Sequence, residues 1–249
     1  FGGRTRTLMF DDGGATLFAG SPGGGLWVTT SQGQDWRPVA AFNEASSANP
    51  NPSMVVSSIA KEGNTIIVGT GELASNFNLL NSEQLLDPKG FNTNAQNGYL
   101  GHSGFPGKGV YVSTDGGASF DNDNATWGRS FSNVDYAFEN PWISVQDVAI
   151  RNGRALAATL HGVFYSDDNF QTVTRAVDTF QTEAAHQIDT SGTANRFPTN
   201  TAFDIEFGAN QRVYAATANG VFISDDNGAT FNQRLFLEDF PRDTTTPGS

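Results

Sequence analysis

The sequence predicts an all-β fold, a β-propeller of four-stranded antiparallel blades, and three observations predict it. A twelve-residue phrase recurs at 220–231, 109–120, 162–173 and, in worn form, 25–36. Each copy runs alternating apolar residues into a polar cluster of Asp, Asn, Gly or Gln and then re-opens the apolar pattern, as a strand, a tight corner and a return strand do. Asp115, Asp168 and Asp226 stand 53 and 58 residues apart, a period that suits one four-stranded blade.

In chain order, the first blade takes strands at 7–10, 16–20 and 26–30, with a fourth near 36–40. The second has strands at 55–60 and 65–69 around a turn at Glu62, Gly63 and Asn64, and its third waits until Val110 because a long insertion, 72–107, intervenes. The third blade has strands at 145–150, 155–158 and 163–166 about an Asn152, Gly153 turn, and the fourth repeats this at 203–207, 213–216 and 221–224. The blades thus span roughly 4–40, 55–123, 144–177 and 201–236 within one propeller domain, 1–241, and 242–249 reads as a linker or frayed tail. An open set of four blades leaves sheet faces and edges bare. About four blades are therefore expected to be part of a larger propeller, and the chain part of a longer one.

The residues at the corner have a physical reason. Asp115, Asp168 and Asp226 can accept hydrogen bonds from N–H groups of their own turns, the Gly or Asn that follows tolerates positive φ, and Trp36, Phe120 or Phe231 can fold back onto the sheet. The pattern resembles the Asp-box, or bacterial neuraminidase repeat, Ser/Thr-x-Asp-x-Gly-x-Thr-Trp/Phe. That repeat belongs to propellers such as sialidases, xyloglucan-active glycoside hydrolases, sortilin-like receptors and a photosystem assembly factor. Ser113, Asp115, Gly117 and Phe120 carry the resemblance, with Ser166 and Asp168, and with Ser224, Asp226, Gly228 and Phe231. Phe170 replaces the Gly of the third copy, and Ser31 the Asp of the first. The resemblance implies the fold and a structural role for these residues. It does not select a function, because the family holds enzymes and binding proteins alike. The Phe/Tyr-Arg-Ile-Pro phrase of sialidases is absent, which argues against that activity.

Composition narrows the classes further. The chain has 249 residues, 14 basic and 26 acidic, for a net charge of −12, and its basic residues are scattered. A nucleic-acid groove or attachment to an anionic membrane is not expected. No apolar run approaches the roughly 20 residues of a membrane-spanning helix. With no Cys, and with His102, His161 and His186 isolated from one another, no metal site and no cofactor is expected. Asp121, Asn122, Asp123 and Asn124 offer oxygens but lack the Gly and terminal Glu of a calcium loop. Residues 2–6 and 24–28 resemble the first blade of sortilin-like propellers that some bacteria export to their surface, which implies an extracellular or cell-surface location.

Loop lengths point to a working face. The loop after a blade's second strand and the loop leaving its fourth open on one face, and the long connections 41–54, 72–107, 121–143 and 178–200 all fall there. Long loops gathered at one end of a rigid scaffold mark a binding face, or else pack on one another. Its candidate residues are Glu72, Phe77, Phe91, Tyr99, His102, Phe105, Trp127, Tyr136 and Trp142. Aromatics in such loops either anchor the loop in the core or offer stacking surfaces to a glycan or partner. Asp147 and Asp204 hold matching places at the start of adjacent innermost strands, with Ser58 and Thr7 equivalent in the second and first blades. Two carboxylates near a channel suit a glycosidase pair; their recurrence by repeat suits a structural hydrogen-bonding device instead. Three functions follow: a secreted or surface propeller that binds a protein or glycan through the long-loop face; part of a glycoside hydrolase; or, weaker because those relatives have shorter loops and more Lys or Arg, an intracellular or thylakoid assembly factor.

Overall fold

The structure, a computed structural model, describes residues 4–44, 53–72, 107–126, 141–159, 161–178, 201–217 and 220–236. Four antiparallel sheets follow one another along the chain. Blade 1 is β1 (Thr7–Phe10), β2 (Leu17–Ser21), β3 (Gly25–Thr29) and β4 (Arg37–Pro38), paired in that order. Blade 2 is β5 (Val56–Glu62), β6 (Thr65–Thr70) and β7 (Val110–Ser113). Blade 3 is β8 (Val145–Arg151), β9 (Arg154–Thr159), β10 (Gly162–Ser166) and β11 (Thr174–Arg175). Beyond β12 (Val177–Asp178), blade 4 is β13 (Ala202–Phe207), β14 (Val213–Thr217), β15 (Gly220–Ser224) and β16 (Thr230–Phe236). The short β12 leaves blade 3 and pairs parallel with β16, which ties the outer edges of two blades together.

Two fourth strands differ from expectation. In blade 1 the strand lasts two residues, and 40–43 closes into a helical turn, α1 (Ala40–Asn43). The turn drives Phe42 fully into the core, where its ring lies 4.5 Å from Tyr111 and 5.4 Å from Phe120. In blade 2 the fourth strand reduces to a single bridge between Val112 and Asp121.

Strand alternation gives every blade two faces, because successive side chains point to opposite sides of a sheet. Across strands one, two and three, the front face carries Ile59, Val68 and Tyr111 in blade 2, Val148, Ala157 and Phe164 in blade 3, and Ile205, Ala215 and Phe222 in blade 4. The same register places Leu8, Ala19 and Trp27 on the front of blade 1. Each front packs on the back of the blade before it. Phe18 and Leu26 of blade 1 meet Ile59, Ile66 and Tyr111; Ile67 and Val110 of blade 2 meet Val148 and Ala157; Leu156, Ala158 and Val163 of blade 3 meet Ile205, Ala215 and Phe222. The core is therefore three inter-blade layers, and a fully buried Val, Leu, Ile or Phe in one contributes about 1.5–3 kcal/mol.

The corners close as the residue choice dictates. In blade 4, Ser224 Oγ donates to Asp226 Oδ1 at 2.7 Å and accepts from the Gly228 N–H, while Asp226 accepts from the Thr230 N–H at 2.8 Å and from its hydroxyl at 2.6 Å. Ser113 with Asp115, and Ser166 with Asp168, repeat this set. These bonds hold Asp115 and Asp168 well below the ordinary carboxylate value; around Asp226 burial pushes up, and the bonds from Thr230, Ser224 and Ala229 outweigh it. The worn first corner keeps the geometry with Ser31 in the Asp place, accepting from the Asp35 N–H at 2.8 Å. Trp36 does not fold back onto the sheet; it is 37% exposed and its indole N–H bonds Gly33 O. The third corner inverts the roles: Phe170 takes the Gly position at φ 64° and is itself the buried aromatic.

Candidate functional site

The innermost strands β1, β5, β8 and β13 line the axis, and their first residues pair with the last residues of strand two: Val56 with Thr70, Val145 with Thr159, Ala202 with Thr217. That end of the axis is where the long connections leave and return. The corners lie at the opposite end, as the bond from the Gly116 N–H to Asn64 O in the strand one–two turn records. β5, β8 and β13 each carry a β-bulge at the same place, between 56 and 58, 145 and 147, and 202 and 204. A bulge inserts one residue and re-aims its neighbours. Here it points two sets of polar side chains at the mouth of the axis.

The first set joins three blades. Arg6, just before β1, donates from one guanidinium nitrogen to Glu72 Oε1 at 3.2 Å and from another to Gln146 Oε1 at 3.1 Å. Gln146 Nε2 donates in turn to Ser144 Oγ, and Arg4 makes a second ion pair with Glu72. The Glu72 side chain is 4% exposed, so its charge is held in the interior by cations. Burial, and then the nearby Arg4, pull the Arg6 guanidinium below its ordinary pKa, against the opposing pull of Asp147. Glu72 stands at the root of the insertion, so the network ties that root to blades 1 and 3.

The second set is a ladder between innermost strands. Ser58 Oγ donates to Asp147 Oδ1 and accepts from the Val148 N–H at 3.2 Å; Asp147 Oδ2 accepts from the Ile205 N–H at 3.0 Å. Ser58 and Asp147 thus each receive the N–H of the residue that follows the matching place in the next blade. Burial, and then a hydrogen bond shared with Asp204, push the Asp147 carboxyl up to about 7, against the bonds from Ser58 and Ile205. Asp147 therefore keeps a proton near neutral pH, beside an exposed Asp204.

Of the candidate face residues Glu72 stands at this mouth, and so do Asp147 and Asp204, the two carboxylates weighed for a glycosidase pair. Trp142 does not present a stacking surface. It is buried between blades 2 and 3, 5.0 Å from the Phe164 ring and 6.2 Å from Phe170. Phe77, Phe91, Tyr99, His102, Phe105, Trp127, Tyr136, His186 and the 242–249 tail lie outside the described residues. His161 sits in a turn with its N–H on Thr159 Oγ1, and among the described residues no group of His, Asp and Glu is arranged to hold a metal ion. Arg6, Gln146 and Ser144 carry no motif; Gln146 is the extra residue of the β8 bulge, and Arg6 reaches it from just before β1.

No family model matches the sequence, and no curated protein matches it. Solved structures do. A GH74 enzyme of Niastella koreensis superposes on 94% of this chain with a TM-score of 0.53 at 15% identity. The fold is a β-propeller. An ancestral GH74 enzyme covers 88% of the propeller chain, with a TM-score of 0.50 and 17% identity. YCF48 from Cyanidioschyzon merolae covers 94%, with a TM-score of 0.50 and 11% identity. The chain spans 30%, 24% and 57% of the lengths of these three proteins. At such identities the likeness speaks for the fold and leaves the activity to the site.

Proposed function

We propose that the chain is an Asp-box propeller module, secreted or displayed at a bacterial cell surface, that binds a protein or glycan through its long-loop face. One observation carries the reading: Arg6 joins Glu72 to Gln146 at the mouth of the axis, so three blades converge on the root of the longest connection. Rigid blades with such a mooring hold loops in one place, as a recognition surface requires. The corners, by contrast, spend their Ser and Asp oxygens on their own turns. The test replaces 73–106 by a short Gly-containing turn like that at 160–162 and, separately, changes Arg6→Ala. Binding to glycan arrays, or to surface proteins of the same cell, falls tenfold or more in both folded variants. Full binding in the folded deletion variant would move the site off this face.

The second reading, part of a glycoside hydrolase, draws on a proton-bearing Asp147 beside Asp204, since a general acid must hold its proton at working pH. Recurrence weighs against it: Ser58, Asp147 and Asp204 hold matching places in successive blades, and Ser58 and Asp147 spend their oxygens on the next blade, as a structural ladder does. Turnover of a β-glucan by the chain, lost in Asp147→Asn, would decide for the hydrolase.

A further inference from the structure

Among the described residues, three front-to-back contacts join the blades, and no blade lies against the front of blade 1 or the back of blade 4. The front of blade 1 offers Leu8, Ala19 and Trp27, in the register that holds Ile59, Val68 and Tyr111, or Ile205, Ala215 and Phe222, against a neighbouring back. Leu8 is 59% exposed and Phe10 60%. The back of blade 4 offers Asp204, Glu206, Tyr214 and Ile223 in the register that Asp147, Ala149, Leu156 and Tyr165 hold on blade 3, and Tyr214 is 38% exposed where Leu156 is fully buried. The ladder at the axis is also one rung short. Ser58 takes the Val148 N–H and Asp147 takes the Ile205 N–H, and Asp204 is the next acceptor in the series.

We propose that these two faces dock on each other between two copies of this chain, head to tail, and that Asp204 of each copy accepts the Leu8 N–H of the other. Leu8 is the matching donor because it follows Thr7, which holds in blade 1 the place of Ser58, Asp147 and Asp204. The surface chooses this occupant on its own terms: it needs a blade with an apolar front in this register, and blade 1 is one. A head-to-tail contact either closes or grows into a filament; two copies of four blades make eight, which is within the range of closed propellers. Closure covers both of these faces, and with them the aggregation hazard of an open sheet.

The test measures mass in solution at about 0.15 M salt, where self-repulsion of the acidic chain is screened. Light scattering on the 249-residue chain reads twice the 26.6 kDa of one copy, and Phe10→Asp or Tyr214→Asp alone gives one copy. An equimolar mixture of the two variants regains dimer, because it contains one undamaged front and one undamaged back. The chain has no Cys, so a Phe10→Cys/Tyr214→Cys variant reports directly, by forming covalent dimers on oxidation. A monomer at 100 µM would assign both faces to other blades and overturn the proposal, as would a dimer untouched by either Asp variant.

Discussion

The Asp147 carboxyl sets up an inverted dependence of stability on pH. Its value rises from the ordinary 3.8 to about 7 in the folded protein, so between those limits the native state holds a proton that the unfolded chain has lost. Stability from this group is full below pH 4 and declines as pH rises towards 7, by at most about 1.4 kcal/mol per pH unit. Integrated from pH 5 to pH 7, the loss is up to about 2 kcal/mol. Asp147→Asn removes it: the amide oxygen still accepts from the Ile205 N–H, the amide nitrogen takes the place of the oxygen that Ser58 donates to, and nothing is left to ionise. Urea denaturation at pH 5, 6 and 7 is the assay. Between pH 5 and pH 7 the wild type loses up to about 2 kcal/mol relative to the variant, in which this position no longer titrates. The lowered carboxylates Asp115, Asp168 and Asp226 act in the opposite sense, losing their contribution as pH falls below about 4, and stay out of this window. Equal slopes for the two proteins between pH 5 and 7 would refute the buried, shared proton.

Two further outcomes probe the corners. Asp226→Ala strips acceptors from the N–H groups of Ala229 and Thr230; water reaches this exposed corner, so the cost is about 1 kcal/mol, read from the urea midpoint, and an unchanged midpoint would contradict the structural role. Gly228→Ala places a methyl group 2.7 Å from Leu156 Cδ2 at φ +86°, whereas Gly153→Ala, at φ +78°, meets nothing within 4 Å. Gly228→Ala should therefore cost about 1 kcal/mol more than Gly153→Ala, and the reverse order would show that the corner of blade 4 does not lean on blade 3.

The fold was legible because its determinants are local and repeated. The Ser113/Asp115, Ser166/Asp168 and Ser224/Asp226 pairs declare a corner within a few residues, and the alternation on either side declares strands. Phe42 was not legible: 40–43 lies in a polar connection, and the helical turn forms there because Phe42 finds Tyr111 and Phe120 across two blades. Trp142 stayed undecided for a related reason. Its aromatic surroundings in sequence allow an anchor or a stacking surface equally, and its partners Phe164 and Phe170, from later in its own blade, make it an anchor. Arg6 and Gln146 are 140 residues apart, and no pattern joins them until the β8 bulge brings Gln146 to the residue before β1.

That contrast in span also orders the folding of the chain. Every bond within a corner closes a loop of two to four residues, so little chain entropy opposes it, and such hairpin ends form in about 1–10 µs. The Arg6–Gln146 bond closes a loop of 140 residues, and non-local contacts of that kind wait for slower events. Each blade can therefore commit to its own register before its neighbours exist, while the axis locks only after blades 1, 2 and 3 have met. A chain emerging from a ribosome or a translocation channel would assemble blade by blade, and the mooring of the longest loop would be among the last contacts made.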